Sequence, residues 1–169
     1  MRKTVLLLAS VACTFLLASG VALAYGGGGG GGTTYNNIRC DGGKCQGTPK
    51  ADRMLGTLQR DIIYGLKGDD RMWGRAGRDE VYGFDGNDWA TGGDGIDTVS
   101  GGDNSDVLLD GPLADNARDK VNGGNGRDRL FTDNNPASVD VVECGSGHDV
   151  AHVDSEDIVN KDCERVDLN

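Results

Sequence analysis

The chain has 169 residues, a formal net charge of -10, 29 glycines and only 5% aromatic residues. Ordinary proteins hold about 7% glycine, so this composition leaves out a large, conventionally packed globular core. The acid excess speaks against nucleic acid and anionic membranes as partners, and for cations.

Residues 1–24 read as a secretory signal. Arg2 and Lys3 precede an apolar run from Val5, and Ala22-Leu23-Ala24 forms a cleavage site. Ser10, Thr14, Ser19 and Gly20 interrupt the run, which argues against a membrane anchor, so no span is expected after cleavage. Removal takes away two positive charges and no acid. Export puts the mature chain where disulfides persist. Residues 25–39, with the unbroken glycines 26–32, read as a flexible tether.

Four cysteines remain after cleavage: Cys40, Cys45, Cys144 and Cys163. Three pairings are possible. Proximity in sequence favours Cys40–Cys45 and Cys144–Cys163. Residues 40–64 read as an N-terminal cap followed by two degenerate nine-residue units, 47–55 and 56–64. These units have Lys50 and Gln59 where later units have glycine. Asp52 and Asp61 are expected to cap turns or meet arginine rather than hold a metal.

From Gly65 to Leu109 the chain repeats every nine residues: GLKGDDRMW, GRAGRDEVY, GFDGNDWAT, GGDGIDTVS, GGDNSDVLL. The first place is glycine, the sixth aspartate, and the eighth apolar or small (Met72, Val81, Ala90, Val99, Leu108). Six residues make a turn in which glycine allows positive φ. The next three make a short strand whose middle side chain points inward. Two units make one coil, so residues eighteen apart stack about 4.8 Å apart. Asp70, Asp88 and Asp106 then form one ladder, and Asp61, Asp79 and Asp97 another. Stacked carboxylates about 5 Å apart repel by roughly 3 kcal/mol per pair at an effective dielectric near 20. A thin core cannot easily offset this. A hard dication that accepts carboxylate and carbonyl oxygens can, and calcium suits that donor set better than magnesium does. Folding and calcium binding are therefore expected to be one event.

After Leu109 the period slips. Residues 110–122 carry four extra residues and 132–143 carry three, while GGNGRDRLF (123–131) and CGSGHDVAH (144–152) match again. Insertions in the turns leave the strands in register. They place Asp128 and Asp149 on the edge of Asp70, Asp88 and Asp106. The opposite edge, at Asp119 and Asp140, is expected to be poor in calcium. Residues 153–169 read as a C-terminal cap over the last open coil.

On these motifs the chain resembles the RTX, or hemolysin-type, calcium-binding repeat family over 47–152, most closely over 65–109 and 123–128. The resemblance implies an all-β fold: a parallel β-roll, a right-handed β-helix-like solenoid of nonapeptide repeats, spanning 65–152. It implies Ca2+ as the bound ion. The ligand carboxylates carried over by position are Asp70, Asp79, Asp88, Asp97, Asp106, Asp128 and Asp149. Carbonyls would come from the turns, at Gly65, Gly68, Gly74, Gly77, Gly83, Gly86, Gly92, Gly95, Gly101, Gly123 and Gly126. Asn104 departs from the fourth-place glycine, which asparagine tolerates because it accepts a left-handed backbone. An N-terminal signal departs from RTX toxins, which leave through a C-terminal one, so toxin activity is not carried over.

No H-E-x-x-H or G-x-S-x-G occurs, and no complete EF-hand loop. His148 and His152 sit at surface places. The expectation is a secreted, non-catalytic calcium-binding module with structural or interaction duties. The alternative is a carbohydrate- or ice-binding surface on the same roll. That alternative rests on outward aromatics, with Tyr64 stacked on Tyr82 and Trp73 approaching Trp89, and a cell-surface glycan or protein as partner.

Overall fold

The computed structural model describes residues 34–112, 116–133 and 138–168. The signal read over 1–24 and the glycine run lie outside these residues. Fifteen short strands follow among the described residues. They are β1 (Asn36–Arg39), β2 (Gly43–Gln46), β3 (Asp52–Leu55), β4 (Asp61–Lys67), β5 (Arg71–Ala76), β6 (Glu80–Asp85), β7 (Trp89–Asp94), β8 (Thr98–Asn104), β9 (Val107–Leu109), β10 (Lys120–Gly126), β11 (Arg129–Phe131), β12 (Val141–Gly147), β13 (Val150–Val153), β14 (Ile158–Val159) and β15 (Arg165–Leu168).

The odd-numbered strands form one parallel sheet in the order β1-β3-β5-β7-β9-β11-β13-β15, and the even-numbered strands form the other. Each coil thus contributes one strand to each sheet, as a nine-residue period with alternating edges requires. The fold is all-β, a parallel β-roll. β1 falls within 25–39, so strand pairing begins inside the stretch read as tether, at Asn36 opposite Asp52. The strands run up to seven residues, longer than the three-residue strands expected, and alternation buries the eighth-place side chain together with the flanking sixth-place aspartate and first-place glycine. In one sheet Met54, Met72, Ala90, Leu108, Leu130 and Ala151 pair in sequence and are fully buried. Ile63, Val81, Val99, Val121 and Val142 do the same in the other.

The two insertions are absorbed in the turns. Across them the stacking interval becomes 22 residues, then 21, and the strands keep their register. Cys40 is bonded to Cys45, and Cys144 to Cys163. Cys45 and Cys144 are buried in the core, with Cys40 and Cys163 packed against it, so a disulfide lies at each end of the roll. The segment after Val153 is itself a further coil, since β14 and β15 extend both sheets.

Candidate metal centres

The sixth-place aspartates run in two ladders, one along each edge. Oδ1 of Asp70 accepts the backbone N–H of Asp52 at 2.8 Å, and Asp70 in turn donates to Asp88 Oδ1 at 2.8 Å. The contact repeats through Asp106, Asp128 and Asp149 at 2.8–2.9 Å, and Glu164 takes the last place. On the other edge the ladder joins Asp61, Asp79, Asp97, Asp119, Asp140 and Asp157. Every position carried over as a ligand carboxylate therefore lies in one of these two rows. Asp128 and Asp149 lie with Asp70, Asp88 and Asp106.

One carboxylate oxygen is thus occupied by the next backbone amide. The other is not. Oδ2 of Asp70, Asp79, Asp88, Asp106, Asp128 and Asp149 is buried without a hydrogen-bond donor. Buried polar atoms normally find a partner, and an unpaired charge is costlier still. Burial dominates the electrostatics and raises these acids. Asp70 is pushed up to about 7 and Asp106 to about 8, with further repulsion from neighbouring aspartates. Asp79, Asp88 and Asp128 reach about 6. Asp149 is also raised, first by burial.

Glycine at the first place follows from the same packing. A Cβ on Gly65 would strike Asp70 Oδ2 and lie 2.8 Å from the carbonyl oxygen of Gly83 on the next coil. The carboxylate and a stacked carbonyl therefore share the space a side chain would fill. Gly74, Gly83, Gly92, Gly101 and Gly123 stand in equivalent turns, against their own Asp79, Asp88, Asp97, Asp106 and Asp128. The fourth-place glycines Gly68, Gly77, Gly86, Gly95 and Gly126 all have positive φ, between 108° and 150°. Asn104 adopts φ 82° in their stead.

Units 47–55 and 56–64 cap the second carboxylate oxygen instead, which in Asp61 leaves Oδ1 as the buried atom without a donor. Thr57 donates its N–H to Asp61 Oδ2 at 2.6 Å and its hydroxyl at 2.9 Å. Thr48 does likewise to Asp52, at 2.5 and 3.0 Å. From Leu66 onward the second place turns to positive φ: Leu66 at 86°, Arg75 at 89°, Phe84 at 77°, then Gly93 and Gly102. The turn's own amide then no longer caps Asp Oδ2. Asp52 and Asp61 cap turns as expected, but threonine as the partner was not foreseen. The signal was present as threonine four residues before aspartate in both units. On the edge of Asp119 and Asp140, Ser138 donates its hydroxyl to Asp140 Oδ2 at 2.9 Å.

The donor set limits what ion could be held. Among the described residues no three His, Cys, Asp or Glu side chains gather closely enough to bind a metal alone. A bound ion must therefore draw on backbone carbonyls beside one or two carboxylates. Such all-oxygen sets suit a large, hard, geometrically tolerant cation, and exclude thiolate- or imidazole-bound zinc.

The remaining residues fall near their expected places. Asp85, Asp94 and Asp103 are exposed, Asp85 pairing with Lys67 at 2.7 Å. Tyr64 and Tyr82 stack with ring centroids 5.5 Å apart, and Trp73 meets Trp89 at 5.0 Å. Phe84 joins the tyrosines, 5.8 Å from Tyr64, a contact hidden from the sequence because second places were read only as turn.

Comparison with known proteins agrees with this geometry. No curated protein matches the chain. The profile of the RTX calcium-binding nonapeptide repeat matches it in four copies, over residues 46–81, 82–109 and 114–135. Those segments hold both aspartate ladders from Asp52 to Asp128, and with more than half the sequence matched, the chain belongs to the RTX calcium-binding nonapeptide repeat family.

Proposed function

We propose that this protein is an exported, non-catalytic module that folds when calcium enters the turns of its roll. The observation that carries this reading is the row of buried Oδ2 atoms, from Asp70 to Asp149, that no donor reaches. Asp70, Asp88, Asp106, Asp128 and Asp149 would hold ions along one edge, and Asp79 and Asp97 along the other. Carbonyls of the glycine turns at 65–69, 74–78, 83–87, 92–96, 101–105 and 123–127 would complete each shell. Bound calcium supplies the positive charge that lets stacked carboxylates remain ionised. The aspartates do the rest: each ties its coil to the one before through the backbone amide, and holds its second oxygen towards the turn.

Two disulfides and the leader-like residues 1–24 support export. The repeat family is a structural calcium-binding module, which supports a non-catalytic role.

The test is far-ultraviolet circular dichroism of the mature protein during calcium titration and after chelation. The expected result is a cooperative gain of β-signal with calcium, its loss with chelator, and its absence with Asp70, Asp88 and Asp106 all changed to alanine. A spectrum indifferent to chelation, or a triple variant that folds like the parent, overturns the proposal.

A further inference from the structure

The outer face of the odd-strand sheet has a composition at odds with the rest of the molecule. Its side chains stack in two outward rows. Arg53, Arg71 and Trp89 are register neighbours in one, and Arg39, Leu55 and Trp73 in the other. In these two rows no place from Asn37 to His152 holds an acid, in a chain of net charge -10, although Asp94 is exposed at the end of β7 and Asp167 follows His152 in register on β15. Arg39, Arg53, Arg71 and Arg129 have no ion-pair partner among the described residues. Elsewhere Arg60 meets Glu80 at 2.7 Å, and Lys120, on the other sheet, meets Glu143 at 3.0 Å.

Arg53 and Arg71 lie directly opposite each other on adjacent strands, an arrangement that like charges make unfavourable. Stacking explains part of it. Arg53 lies over the Trp73 ring at 5.1 Å, and Arg71 over Tyr35 at 5.0 Å. Stacking does not explain why these two rows lack acids up to His152 when acids crowd the turns. Arg39, Arg53, Leu55 and Trp73 also line a shallow groove of about 490 Å³ that runs beside β1.

We infer that this face binds a linear acidic polysaccharide. Guanidinium forks take sulfate or carboxylate bidentately. The half-buried rings of Trp73 and Trp89 offer apolar surface to sugar C–H faces between the charges. The charged groups fit ice poorly, and the acidic turns beside the face disfavour a broad anionic bilayer over a narrow chain lying along the sheet. The inference rests on the calcium-folded roll proposed above, since only the folded coils align these side chains.

The test measures binding to the calcium-loaded full chain by titration calorimetry, with parallel circular dichroism. The probes are a heparin-derived octasaccharide and tetragalacturonate, with a neutral cello-oligosaccharide, a single-stranded oligodeoxynucleotide and anionic phosphatidylglycerol vesicles alongside. The expected result is binding to at least one acidic glycan. The double substitution Arg53→Gln, Arg71→Gln should weaken it about tenfold or more, and Trp89→Ala severalfold. Arg60→Gln with Lys120→Gln removes the same charge elsewhere and should change it less than about twofold. No binding to either acidic glycan overturns the inference. So do an equal loss in the Arg60/Lys120 control, and tighter binding of the oligonucleotide or the vesicles through the same arginines. Failure of calcium to fold the chain overturns both readings, whereas folding without glycan binding overturns this one alone.

Discussion

The carboxylate of Asp106 shows how one side chain can oppose and enable the fold. Its Oδ1 accepts the Asp88 amide at 2.8 Å, which ties two coils together. Its Oδ2 is buried with no donor, and burial pushes the group from its ordinary 3.8 up to about 8. An acid raised in this way keeps its proton in the folded state while the unfolded chain releases it. Stability without calcium is therefore greatest below the ordinary value, and falls as pH climbs from 3.8 through about 8. Asp70, raised to about 7, adds to the same slope. The chelated protein should accordingly gain β-signal as the pH is lowered from about 8 towards about 5. Asp106→Asn, uncharged throughout yet still an acceptor for the Asp88 amide, should move that gain to higher pH. Circular dichroism in chelator across this range checks both, and a pH-independent spectrum contradicts them.

Single turns come in two designs. In 47–64 a threonine at the second place closes the turn onto its own aspartate. From 65 onward the second place has positive φ and the closure is gone. For Leu66, Arg75 and Phe84 this conformation costs of order 1–3 kcal/mol each. A bound ion is one way the surrounding structure can hold such strain. The two designs should separate in titration. Asp79→Asn should raise the calcium midpoint about tenfold or more, while Asp61→Asn leaves it within about twofold and lowers stability by roughly 1–3 kcal/mol. Equal shifts in the two variants would show that the threonine turns bind calcium as well. Much of this was legible beforehand. The period placed every inward residue from Met72 to Leu108, because strand alternation leaves no choice of face. The threonine closure is marked only by a threonine four residues before each aspartate, and whether the second-place amide reaches the carboxylate depends on the sign of one φ that the sequence does not fix.

Across the whole roll, nearest-neighbour stacking makes the ends the weak points. Here each end carries a disulfide against the core, Cys40–Cys45 beside β2 and Cys144–Cys163 beside β12 and the last coil. The second bond closes a separation of 19 residues, for which chain entropy gives about 3 kcal/mol. Cys144→Ser with Cys163→Ser should lower the calcium-loaded Tm accordingly, and hydrogen exchange should quicken first in β14 and β15. Uniform loss of protection along the roll would instead mean that the coils melt as one unit.

The order of nines was enough to determine the class of fold, the inward file of the core, both aspartate ladders and the turn location of the two insertions. Periodic sequence maps directly onto periodic structure when each coil touches only its neighbours. What remained for the folded molecule was non-periodic. The acids of the tail, Asp157 and Glu164, continue the ladders after intervals of 17 and 15 residues, which no repeat predicts. The two acid-free outward rows of one sheet emerge only when alternate strands are gathered side by side. Residues 18 apart in the chain become neighbours there, and their charges are summed across strands rather than along the sequence.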